Sequence, residues 1–133
     1  MEHFGPHLLL DCFECDAANI LDKQVIEDFM VSTVKNAGMK LIHGPHVFYY
    51  NHEEIPKDSG VTGFLVLAES HLSIHTFVRN NFVTMDLYSC KDFPSDIIVQ
   101  DVIKIFKPKS FKYSIIDRGV GFSRDWTIYN NML

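Results

Sequence analysis

No stretch of this 133-residue sequence approaches the roughly 18 consecutive apolar residues of a membrane span, and its start, MEHFGPHLLLDCFECD, has no basic segment before a sustained apolar run. A membrane partner and an export signal are therefore not expected, and the expected location is the cytoplasm. Basic charge is also short: 12 Lys and Arg against 17 Asp and Glu give a formal net charge of −5, with the basic residues scattered instead of forming a stripe. That balance speaks against a nucleic-acid partner. Three cysteines, an odd number, make no disulfide framework, and Cys12 and Cys15 have no second pair at zinc-finger spacing. Residues three apart in a strand point to opposite faces, so these two read as small residues packing a strand. The patterns G-x-x-x-x-G-K-[ST], G-x-G-x-x-G, G-x-S-x-G and H-E-x-x-H are missing, and with them the common phosphate, dinucleotide, serine-hydrolase and zinc-protease devices.

What is present is ordinary globular usage, 47% hydrophobic and 22% charged, in one domain over 1–133. Residues 7–14 form a short apolar run with the length of a buried strand. Leu21, Val25, Ile26, Phe29, Met30 and Val34 recur at helical spacing, with Asp16 or Asn19 as cap and Gly38 as stop. Residues 39–50 read as a strand, followed by the polar loop NHEEIPKDSG. Residues 61–68 are strand-like, and the alternation carries on through AESHLSIHTF to Phe77. RNN turns the chain into the strand FVTMDLYSC, a helix starts at Ser95 and ends at Pro108, and KYSIID is the last strand. The order β-α-β-β-β-β-α-β predicts an α+β fold, a mainly antiparallel sheet with two helices packed on one face as a two-layer sandwich. The tail after it has no clear period.

The chemistry concentrates in AESHLSIHTF, residues 68–77. His71 and His75 are four apart, which in a strand separates them by about 13 Å, too far to share an ion, so no metal is expected. His3, His43, His46 and His52 read as surface or turn residues. A serine, a histidine five residues on and a thiol at Cys90 could be nucleophile, base and acid, and spacing alone leaves the roles open.

The block ESHLSIHT at 69–76 and MDLYSC at 85–90, with GPHLLLDCFECD and SGVTGFLVLAES upstream, resembles the prokaryotic S-adenosylmethionine decarboxylase proenzymes, a pyruvoyl-dependent family. The resemblance covers roughly residues 5–107. It implies that the chain cuts itself between Glu69 and Ser70 into 1–69 (β chain) and 70–133 (α chain), leaving Ser70 as a pyruvoyl group. That group would form a Schiff base with the substrate amine, so no pyridoxal phosphate and no metal are needed. By the same resemblance, His75 would take the processing proton transfers, Thr62 would support the oxyanion where the family has a serine, and Cys90 would return the proton to the substrate carbon. A thiol with a reference pKa near 8.5 suits an acid working around neutral pH. Phe77 and Phe48 are implied ring partners of the substrate.

Arg79 departs from the pattern: it stands where the family usually has a glutamate that helps bind substrate, exchanging attraction for repulsion toward a cationic ligand by about 1 kcal/mol. The first expectation is S-adenosylmethionine decarboxylation for spermidine synthesis, in a homodimer. The alternatives are a homologue that decarboxylates arginine or ornithine, and a non-catalytic paralogue acting as a binding or regulatory subunit.

Overall fold

The structure, a computed structural model, describes residues 2–125. Six strands form one antiparallel sheet: β1 (Gly5–Phe13), β2 (Leu41–Tyr50), β3 (Gly60–Leu67), β4 (Ser70–Phe77), β5 (Phe82–Tyr88) and β6 (Ser110–Arg118). Their order across the sheet is β2-β3-β4-β5-β1-β6. Three helices, α1 (Ala17–Ile20), α2 (Lys23–Asn36) and α3 (Ser95–Phe106), lie on one face. The expected element order holds, with one extra short helix.

That extra helix follows from two aspartates. Asp16 accepts from the amides of Ala18 and Asn19, while Asp22 accepts from those of Gln24 and Val25, so each starts its own helix. Asp22, and neither Asp16 nor Asn19, caps the long helix. Asn19 instead donates to the Ile105 carbonyl at 2.8 Å. Gly38, at φ +67°, ends α2 in the left-handed conformation that glycine adopts without steric cost.

Alternating residues of β1, β3, β4 and β5 face the helices. Leu8, Leu10, Leu65, Leu72, Ile74 and Leu87 meet Ile26, Phe29, Met30, Ile98, Val102 and Phe106 in the core. Burying each such side chain contributes roughly 1.5–3 kcal/mol. The other face, open among the described residues, carries Thr62, Phe64, His71, Ser73, His75, Thr84, Asp86 and Tyr88.

Residues 61–77 are not one continuous alternation. Leu67 pairs with Ser70, so Ala68 and Glu69 form a two-residue hairpin turn, with Glu69 at φ +65°. The buried set is 61, 63, 65 and 67 before the turn but 72, 74 and 76 after it. An odd-to-even change of phase cannot be met by one flat strand with a single buried face. β2 also breaks register, between His43 and His46, where Pro45 has no N–H for the ladder. No helix among the described residues is long and apolar enough to cross a membrane.

Candidate active site

The Glu69–Ser70 bond lies in the β3–β4 turn, not in the middle of a strand. Glu69 carries a side chain in a backbone region that disfavours one by about 1 kcal/mol, and the Ser70 Oγ donates to the Ala68 carbonyl at 3.4 Å. Cys90 lies just past the end of β5 and is half-buried. Its thiol is hydrogen-bonded to the Glu69 side chain, which pushes the thiol pKa above its ordinary value. Burial adds to the rise, and Arg124 opposes it. At neutral pH Cys90 therefore holds its proton, as an acid must. A recess of about 280 Å³ opens here, lined in part by Met39, Lys40, Glu69, Ser70, Ser89 and Cys90.

The approach is tight on the far side. A Cβ at Gly5 would fall 1.8 Å from the Ser89 carbonyl oxygen, so only glycine lets the start of β1 pass the segment leading to Cys90. The Ser89 amide donates to Pro6 at 3.1 Å, tying the two together.

Thr62 and His75 form a second cluster. The β3–β4 register sets them opposite each other, and Thr62 Oγ1 lies 3.2 Å from His75 Nδ1. His75 is five residues from Ser70 along β4, which is about 16 Å and the opposite parity of the strand. Within one chain it does not reach the Glu69–Ser70 bond. Phe48 stands opposite Thr62 on β2, 56% exposed.

Phe77 pairs with Phe82, ring centres 5.9 Å apart, in the wall of a cavity of about 380 Å³ also lined by Phe13, Asp58, Arg79 and Asn80. Arg79 is not a lone cation there: its Nε donates to Asp58 Oδ1 at 2.9 Å. The long loop delivers that carboxylate through a 3-10 turn, Pro56–Asp58, while the Val78 amide bonds to the Ser59 carbonyl at 2.9 Å. Asp58 was visible in the sequence only as an acid within an extended loop.

Asp86 collects three donors on the open face. His7 Nε2 lies 2.7 Å and His71 Nε2 3.0 Å from its Oδ2, and Ser73 bonds to Oδ1. Burial pushes the Asp86 pKa up, but the bonds from Ser73, His7 and His71 outweigh it and hold the carboxyl below its ordinary value. The ligand-capable atoms of His7, His71 and Asp86 lie within 4.8 Å of one another, the one grouping of metal-capable side chains among the described residues. Arg118 Nη1 approaches His7 Nδ1 at 3.4 Å. A guanidinium can only donate, so His7 carries its proton on Nε2 and gives it to Asp86. As arranged, this is a proton-bearing network. His71 thus finds its partners on other strands, not in His75.

Cys12 and Cys15 are both buried and hydrogen-bonded to each other, not on opposite faces. Glu14, at φ +51°, breaks the strand alternation between them. The Cys15 bond and burial push the Cys12 thiol up, while the bond from Cys12 pulls Cys15 down.

A family model described as S-adenosylmethionine decarboxylase matches residues 6–119. The S-adenosylmethionine decarboxylase proenzyme of Methanococcus maripaludis is 34% identical over 122 residues, covering 90% of this chain and 93% of that protein. The proenzyme of the same name from Picrophilus torridus is 31% identical over 122 residues, covering 91% and 88%. The crystal structure of the adenosylmethionine decarboxylase from Aquifex aeolicus superposes with a TM-score of 0.72 at 28% identity, covering 94% of this chain and 97% of that one. With sequence, family model and fold in agreement, this chain belongs to the S-adenosylmethionine decarboxylase family.

Proposed function

We propose that this protein is a self-processing, pyruvoyl-dependent decarboxylase of S-adenosylmethionine, and that Glu69–Ser70 is the bond it cuts. The observation that carries the reading is the turn itself. It holds the carbonyl residue of that bond at positive φ, next to a serine hydroxyl and an acid thiol.

In processing, the Ser70 Oγ attacks the Glu69 carbonyl and the peptide C–N bond breaks, giving an ester. Loss of a proton from the Ser70 α-carbon then expels the Glu69 carboxylate and leaves a dehydroalanine. Water enters, ammonia leaves, and residue 70 becomes pyruvoyl. The recess beside Cys90 fits such a group: it is flanked by the Ser70 backbone and a protonated thiol. The pyruvoyl ketone supplies a site for the substrate amine and an electron sink when CO₂ departs. Cys90 then gives its proton to the substrate carbon, and Glu69 keeps that thiol protonated until it is used.

His75, hydrogen-bonded to Thr62, moves the processing proton, and Thr62 steadies the oxyanion. Because His75 lies about 16 Å from Ser70 within one chain, these two come from a second copy, and the working unit is a homodimer. The open face supports this with exposed Phe48, Phe64 and Val66 beside its polar residues.

Phe77 and Phe48 offer ring faces to the adenine and sulfonium of the substrate. Asp58 removes most of the repulsion expected of Arg79, so the arginine does not by itself turn the pocket away from a sulfonium. The relatives' names favour S-adenosylmethionine over arginine or ornithine, and an enzyme over a silent paralogue. The product is the aminopropyl donor for spermidine synthesis, made in the cytoplasm.

The test is CO₂ release from S-adenosylmethionine, arginine and ornithine side by side. Release from the first is expected. Release from arginine or ornithine alone would overturn the substrate, and release from none of them the enzyme.

A further inference from the structure

β5 ends at Tyr88, and the Ser89 amide still bonds to the Pro6 carbonyl of β1, one residue before Cys90. Something else must fix the thiol, and the segment after β6 does so. It turns at Gly119, the Gly121 amide donates to the Glu2 carbonyl at 2.8 Å, and Arg124 is brought over the start of the chain. There its Nη2 donates to two carbonyls at once, Phe4 at 2.6 Å and Cys90 at 2.7 Å. The guanidinium sits 5.6 Å from the Phe4 ring centre and 5.5 Å from that of Phe122, and these rings pack edge to face. A second recess, of about 420 Å³, opens here on the Phe4 side of Cys90.

We propose that Arg124 is a positioning residue for the proton donor, pinning the Cys90 carbonyl to the N-terminal segment so that the thiol stays turned to Glu69. This rests on the role given to Cys90 above. After a cut at Glu69–Ser70, Phe4 belongs to one fragment and Cys90 and Arg124 to the other, so the same guanidinium holds the two fragments together at the acid.

Its charge acts as well. The ionisable groups about Cys90 are Glu69 on the turn, Lys40 at one recess, His3, Asp92 and Arg124 at the other, and Lys91 at both. Among these, Glu69 favours the protonated form of the thiol and Arg124 the thiolate. Arg124 thus keeps the acid from becoming too weak to give up its proton.

The experiment follows alkylation of Cys90 by iodoacetamide against pH, read by peptide mass, in the full-length protein and its Arg124→Ala and Arg124→Lys variants. Cys12 and Cys15 are buried and serve as internal controls. Arg124→Ala should move the midpoint up, the direction expected on removing a nearby cation. In decarboxylation it should lower kcat about tenfold, the lower end of a general acid's contribution, and leave KM within about twofold. Arg124→Lys keeps the charge but not the fork, so its midpoint should match the wild type while kcat falls in between. An unchanged midpoint in Arg124→Ala, or an equal shift in both variants, would overturn the proposal. The alkylation arm needs no turnover, so a wild type without decarboxylase activity would refute the proposed function and still leave Arg124 tested.

Discussion

On the helix side of the sheet, Leu8, Leu65, Leu72, Ile74 and Leu87 have no exposed surface, and any apolar side chains of like volume would serve. On the other side the same strands carry His7, Thr62, His71, Ser73, His75 and Asp86, bonded to one another across strands. A fold of this kind needs the first pattern. It does not need the second, since an open face is equally well served by solvated lysines and threonines. Cross-strand pairing of histidines with an aspartate and a threonine is therefore a pattern that the fold alone does not require.

Three substitutions separate the two faces, in falling order of cost to folding. Ile74→Ala, on the helix side, should lower stability by about 2–5 kcal/mol in urea unfolding, through the cavity it leaves. Its effect on cleavage should follow only from the unfolded fraction.

Asp86→Asn, on the open side, should cost about 1–3 kcal/mol, since it weakens an acceptor with three donors. The Asp86 pKa is depressed in the folded protein, so its stabilisation is fully present above the ordinary carboxylate value of 3.8 and is lost as pH falls through the lower folded value. Acid unfolding curves of the wild type should show that loss below about pH 4, and those of Asp86→Asn should lack it.

His75→Ala should change stability by less than about 0.5 kcal/mol, because it gives up a bond to a half-buried threonine on the open face, yet it should stop or greatly slow self-cleavage. Mixed and refolded with Ser70→Ala, whose Ser70 is absent but whose His75 is intact, the His75→Ala chain should regain cleavage. In a mixed dimer of the proposed kind, its Ser70 would meet an intact His75 from the other chain. No recovery on mixing would mean that His75 acts within its own chain or not at all.

Much of the architecture was legible because the half-buried strands β1, β3, β4 and β5 and the two long helices show their period directly, and α3 begins at Ser95 as its sequence implies. The turn at Ala68 and Glu69 was not, since neither residue is a turn former. The signal was the shift of the buried set from odd to even positions across it. The separation of Cys12 from Cys15 failed for a related reason: strand parity was extended past Phe13, where Glu14 changes the backbone hand.

In the candidate site, Ser70, His75, Thr62 and Cys90 were marked by the family resemblance of the short blocks that hold them. Their partners were not. Asp58 reaches Arg79 across 21 residues, Arg124 reaches the Cys90 carbonyl across 34, and His7 reaches Asp86 across 79. Such pairings depend on strand order and register, which no local pattern contains. The Glu69 side chain was placed in the sequence only as one end of a bond, and its hold on the Cys90 thiol became visible when the turn brought them together.

The central claim is that the chain breaks at Glu69–Ser70, and an intact mass under denaturing conditions tests it most directly. The 15.3 kDa chain should give way to fragments 1–69 and 70–133, the second without a free N-terminal amine, and Ser70→Ala should remain whole. A wild-type protein that stays a single 15.3 kDa species after long incubation, or a Ser70→Ala protein cut at the same bond, would contradict it.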